Sequence, residues 1–100
     1  GYIEPGEAES VRRFVEKPDA ARAAYYIAEG YLWNSGMFCF RADAVLQALA
    51  RHAGEILYHA EEAYRTGSPA RLCATAFPQA PALSLDVAVM EKADNAAVVR

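Results

Sequence analysis

Met37, Phe38, Cys39 and Phe40 stand in an unbroken row, and no other feature of this 100-residue chain limits its fold as strongly. Side chains alternate between the two faces of a strand, so an extended run of this kind is apolar on both. Such a strand needs cover on each side, as a central strand has in an α/β sheet. The pattern therefore predicts a central strand within Leu32 to Arg41, with helices around it.

The flanking sequence supplies those helices. Gly1 to Glu4 reads as the end of a strand, Pro5-Gly6 as a turn and Ser10 to Lys17 as a second strand, the two forming a hairpin. Pro18 stops the second strand, and Asp19 is a good cap for a helix with Ala21, Ala24, Tyr25 and Ala28 inward, ended by Gly30. Two helices follow the apolar row. Ala42 to His52 turns Val45, Leu46 and Leu49 inward, and Glu55 to Arg65 does so with Ile56, Leu57, Ala60 and Tyr64, Gly54 lying between them. A short helix over Arg71 to Ala76, a last helix from a Ser84 cap through Glu91, and a terminal strand over Ala96 to Val99 complete the reading. Strands alternate with helices, so the class is α/β. So few strands make a poor independent sheet. The expectation is a single incomplete domain over residues 1–100, belonging to a larger sheet and prone to self-association through an exposed apolar edge.

Composition narrows the function. Ten Lys and Arg against thirteen Asp and Glu leave a net charge of −3, unlike a dedicated nucleic-acid binder, which carries cations to displace phosphate counterions. With 54% hydrophobic and 23% charged residues the chain is globular rather than disordered. No apolar stretch approaches the ~20 residues that span a bilayer. Cys39 and Cys73 are too few and too separated for a disulfide scaffold or zinc site. The expectation is reduced thiols, Cys39 buried within its apolar row, and a cytoplasmic protein.

Three segments carry residues fit for chemistry. Phe14-Val15-Glu16-Lys17-Pro18 ends a strand with an acid and a base, and the strand-end rim of an α/β sheet is where ligands bind. A carboxylate accepts from sugar hydroxyls and an ammonium neutralises phosphate, although charge pattern alone reads the pair as a solvated strand end. Trp33-Asn34-Ser35-Gly36-Met37-Phe38 places an amide and a hydroxyl before a glycine, suited to polyol recognition and equally to a turn into the next strand. Asp86-Val87-Ala88-Val89-Met90-Glu91-Lys92 begins with a carboxylate that either complements a helix dipole or binds a magnesium ion.

In order and type these three motifs, with Gly1-Tyr2-Ile3 before them, resemble the mannose-1-phosphate guanylyltransferase family of sugar nucleotidyltransferases. The resemblance covers nearly the whole chain. It implies part of a Rossmann-like (GT-A-like) domain, a mixed sheet with flanking helices, whose nucleotide-binding half lies upstream. It also implies transfer of GMP from GTP to mannose 1-phosphate, giving GDP-mannose and pyrophosphate. Glu16 would hold mannose hydroxyls and Lys17 the sugar phosphate, while Asn34 and the backbone near Gly1 line the sugar site. Asp86 would be one of two aspartates binding Mg²⁺, with Lys17 and Asp86 the catalytic pair. The triphosphate-gripping loop and the other aspartate fall outside this sequence, so the chain alone is expected to be inactive. Val87 departs from the tyrosine more usual after the metal-binding aspartate. The alternatives are a glucose-1-phosphate nucleotidyltransferase, a non-catalytic sugar-phosphate-binding regulatory module, and a plain interaction domain.

Overall fold

Pro5 has no N–H to donate, so the first strand stops there and the chain reverses. In the computed structural model, which describes residues 1–100, β1 spans Tyr2–Pro5 and β2 spans Val11–Val15, paired antiparallel with Ile3 opposite Phe14 and a bulge between Glu4 and Pro5. The expected hairpin is present. Its loop closes on itself through the Gly6 N–H to the Ser10 carbonyl (2.8 Å) and the Ser10 hydroxyl to the Glu7 carbonyl (2.7 Å). β3, Leu32–Trp33, pairs antiparallel with the other side of β1, so the sheet order is β2-β1-β3 and every pairing is antiparallel rather than mixed. The α/β class stands.

α1 covers Ala20–Ala28. Asp19 caps it as expected, its carboxylate accepting from the Arg22 N–H at 2.8 Å, a contact worth about 1 kcal/mol. The inward stripe differs from the expectation. Ala21, Ala24, Tyr25 and Ala28 are exposed, and Tyr26 is buried. Aromatic stacking decides this orientation: the Tyr26 ring lies 4.5 Å from that of Tyr31, nearly parallel, and 5.8 Å from that of Tyr2. Arg13 closes the cluster, its guanidinium 5.6 Å from the Tyr26 ring centre and donating to the Tyr31 hydroxyl at 2.8 Å. That hydroxyl donates to Glu4 at 2.8 Å and, with Arg12, holds the Glu4 carboxyl below its ordinary pKa. Ile3 and Phe14 point to the opposite face of the sheet and are buried.

The chain divides into two compact units, Gly1–Cys39 with Leu85–Arg100, and Phe40–Ser84. The apolar row from Met37 to Phe40 does not form the expected central strand. Asn34 accepts from the Gly36 N–H at 3.1 Å, Gly36 takes φ of 73°, and the chain leaves the sheet after Trp33. A strand needs a neighbour to satisfy its backbone, and these residues meet none. Met37 is 82% exposed, and Cys39 is exposed rather than buried. The last predicted helix is a π turn over Asp86–Met90, with Ala88 and Val89 buried. The terminal strand is reduced to a bridge between Ser10 and Ala97, framed by Val11 N–H to Ala96 (3.2 Å) and Val98 N–H to Glu9 (2.7 Å).

The second unit is a helical hairpin. α2, Ala42–His52, and α3, Gly54–Thr66, meet at Ala53, and Ala63 is fully buried while Tyr64 faces outward. The short helix expected over Arg71 to Ala76 is absent. The Cys73 N–H is committed to the Ala63 carbonyl (3.0 Å), and a single 3₁₀ turn forms later, over Phe77–Gln79. No helix of the molecule is long and apolar enough to cross a membrane.

Candidate functional site

β1 is the middle strand, so Gly1, the residue just before it, has a neighbour on each side. The Gly1 carbonyl accepts from the Asn34 N–H at 3.0 Å, and the Gly1 nitrogen lies 3.4 Å from Glu16 Oε2. A side chain at position 1 would crowd this contact, because a Cβ there falls 2.5 Å from Glu16 Oε2. Strand order alone thus brings Gly1, Glu16 and Asn34 to one edge of the sheet.

The π turn reaches the same edge. The Asn34 amide donates to Asp86 Oδ1 at 2.9 Å, and Glu91 Oε1 accepts the Glu16 N–H at 2.8 Å. The result is a closed circuit running from Glu16 through Gly1, Asn34 and Asp86 to Glu91 and back to Glu16. All of it lies within the first unit. Three of its members, Asn34, Asp86 and Glu16, keep capacity to bind something else. The Asn34 amide has two N–H groups and two lone pairs and spends one of each on Asp86 and on Gly36. Asp86 retains its second oxygen, and Glu16, whose side chain is 15% exposed, retains Oε1.

Lys17 stands beside this circuit. It is exposed, makes no ion pair within the chain, and takes a positive φ of 47°. β2 ends at Val15, so the backbone has left the strand before it reaches Lys17. Proline disfavours the right-handed helical region for the residue before it, and Lys17 occupies the left-handed one instead. The second strand, expected to run to Lys17, therefore ends two residues earlier, at Val15.

The structure brings together Gly1, Glu16, Asn34 and Asp86, with Lys17 at the rim. Sequence reasoning gives Glu91 no role. Its only mark is its place beside Lys92 at the end of the third motif, and a carboxylate on a strand-end amide 75 residues away leaves no trace in local pattern. Chemically the edge offers carboxylate and amide groups for hydroxyl recognition, one ammonium for an anion, and one carboxylate oxygen for a hard cation.

Comparison with known proteins identifies the family. Residues 1–77 match the nucleotidyl transferase family model. Over 99% of its length the chain is 44% identical to a mannose-1-phosphate guanylyltransferase of Sinorhizobium fredii, covering 21% of that protein. It is 45% identical to the xanthan biosynthesis protein XanB of Xanthomonas campestris over 99% of the chain and 23% of the relative. It is 43% identical to the alginate biosynthesis protein AlgA of Pseudomonas aeruginosa over 95% of the chain and 21% of the relative. The chain thus spans between a fifth and a quarter of the length of these curated relatives. The crystal structure of a mannose-6-phosphate isomerase from Helicobacter pylori superposes with a TM-score of 0.83 at 33% identity, over 92% of this chain and 40% of that one. With its family model matched over most of its length and its motif residues gathered at one sheet edge, this chain belongs to the nucleotidyl transferase family.

Proposed function

We propose that the protein carrying this chain is a mannose-1-phosphate guanylyltransferase, and that the edge described above is the sugar-phosphate side of its site. The observation that carries the reading is the convergence of Glu16, Gly1, Asn34 and Asp86 at one strand-end edge, joined by the Asn34 contacts to the Gly1 carbonyl and to Asp86, with the unpaired Lys17 next to Glu16 in the chain. The name borne by the relative from Sinorhizobium supports the reaction. A mannose phosphate is also common to that name and to that of the Helicobacter protein.

In this reaction an oxygen of the sugar phosphate attacks the α-phosphorus of GTP. A new P–O bond forms, the α–β bond breaks, and pyrophosphate leaves. Two anions must approach, and Lys17 offsets their repulsion at the sugar phosphate. Glu16 accepts from a mannose hydroxyl through Oε1, while Gly1 and Asn34 hold that carboxylate and the facing edge in place. No general base is required, because a phosphate monoester is already largely ionised near neutral pH.

Asp86 fits a magnesium ion as one ligand. Mg²⁺ uses one or two carboxylates with substrate phosphates and waters, and no cluster of three His, Cys, Asp or Glu side chains is gathered on this chain. When bound, the ion would neutralise phosphate charge; Asn34 would orient the Asp86 carboxylate for it. A cytoplasmic location, where GTP is available, completes the proposal and suits two cysteines that are both free thiols.

The test is steady-state kinetics of the full-length protein with mannose 1-phosphate and glucose 1-phosphate. Lys17→Ala should lower efficiency for mannose 1-phosphate roughly 10- to 100-fold, the range expected for a lost charged hydrogen bond, with a smaller effect on GTP. Glu16→Gln should chiefly erode discrimination between the two sugars. A Lys17→Ala enzyme within about twofold of wild type would return the pair to a solvated strand end.

A further inference from the structure

The geometry points to Glu91, acting through the π turn that carries it, as the positioning residue for Glu16 and Lys17. The inference rests on the sugar-phosphate reading of this edge. Glu16 is followed by a non-glycine residue in the left-handed region, where an L side chain crowds its own backbone. Such a residue persists only where its surroundings over-determine it. Two constraints bracket Lys17. Pro18 bars the ordinary helical alternative after it, and the Glu91 carboxylate fixes the Glu16 N–H, at 2.8 Å, before it.

Winding explains how one short segment reaches both strand ends. Five residues of α-helix turn through about 500°, which would set Asp86 and Glu91 about 140° apart around the axis. The observed turn closes from the Glu91 N–H to the Asp86 carbonyl at 2.9 Å, an i to i+5 bond that brings the two positions to roughly the same side. Asp86 can then take the Asn34 amide while Glu91 takes the Glu16 amide. An α-helical turn of the same sequence would supply one contact and lose the other. The π turn is thus the device that sets the spacing between the β3 end and the β2 end. Glu91 itself is exposed, so it can be changed without opening the core.

The experiment compares Glu91→Ala, Glu91→Gln and Lys17→Ala in the full-length protein, with kinetics and amide hydrogen exchange. Glu91→Ala is expected to raise KM for mannose 1-phosphate about 10-fold, with kcat and the KM for GTP within about threefold. Glu91→Gln keeps an acceptor oxygen and should stay within about threefold throughout. Exchange of the Glu16 amide should quicken at least 10-fold in Glu91→Ala and not in Glu91→Gln, with the buried Ile3 position of β1 unchanged as a control for global opening. If Lys17→Ala raises the sugar-phosphate KM while Glu91→Ala does not, the positioning role is wrong and the site reading survives. If both are silent, the site reading has failed and the positioning role falls with it. An unaltered Glu16 exchange rate in Glu91→Ala would overturn the inference whatever the kinetics show.

Discussion

Replacing Asn34 by Asp changes almost nothing in shape and reverses the electrostatics of the circuit. The carboxylate keeps the oxygen that accepts from Gly36, but the group that donated to Asp86 at 2.9 Å becomes a second acceptor. Losing a hydrogen bond to a charged group costs about 1.5–3 kcal/mol. Two carboxylates about 4 Å apart repel by about 4 kcal/mol at an effective dielectric constant near 20, and partial exposure of the pair lowers that to about 1–2 kcal/mol. The sum is about 2.5–5 kcal/mol, a large part of the stability of a small unit. Trp33, the only tryptophan, precedes Asn34 and pairs with Tyr2, so its fluorescence reports on this edge. Urea denaturation at submicromolar concentration should show the midpoint falling by about 1–5 M, given slopes near 1–3 kcal/mol/M. In 1 M NaCl, where the Debye length is about 3 Å, the deficit should shrink toward the lost hydrogen bond alone. Adding Asp86→Asn reverses donor and acceptor and should recover at least half the loss. A loss of stability below about 0.5 kcal/mol, or no recovery in the double variant, would show that the contact does not hold the edge together.

Three further outcomes follow from other parts of the molecule. Gly67→Ala should destabilise the helical hairpin unit by about 2 kcal/mol or more, because its Cβ would lie 2.5 Å from the Arg71 carbonyl and 2.6 Å from the Cys73 nitrogen, backbone that cannot yield; thermal melting with no loss would refute it. Hydrogen bonds from the Thr75 hydroxyl and from backbone N–H groups lower the Cys73 thiol to about 6. Alkylation by iodoacetamide should therefore rise with pH and reach half its limit near pH 6, and Thr75→Val should move that midpoint upward; a midpoint near 8.5 in the wild type would contradict the hydrogen-bonded thiolate. The exposed stretch bearing Trp33, Met37 and Phe38 should make the isolated chain self-associate, seen as concentration-dependent sedimentation that Met37→Ser weakens, whereas a monomer at high concentration would count against it.

Local signals were legible wherever one residue satisfies its neighbours. The Pro5-Gly6 turn, the Asp19 cap after Pro18 and the bounds of α2 could be read directly, because caps, breakers and a 3.6-residue apolar period act within a few residues, although Leu46, expected inward, is exposed. The residue types of the site could be read as well: an acid and a lysine before a proline, an asparagine before a glycine, an aspartate opening a turn. Three things were beyond the sequence because their partners are distant in it. The orientation of α1 follows from Tyr26 stacking on Tyr2 and Tyr31, which places inward a face that simple periodicity leaves out. The Met37–Phe40 row has the composition of a buried strand, yet a strand exists only where another strand completes its hydrogen bonds, and here the chain turns away at Gly36. The site itself was assembled by tertiary structure. Pairing of β1 with both neighbours sets Gly1 between Glu16 and Asn34, and a turn wound to i+5 rather than i+4 brings Asp86 and Glu91 to one side to join them. Residue identity determined which chemistry the chain carries; strand order and the winding of one turn decided which of those residues meet.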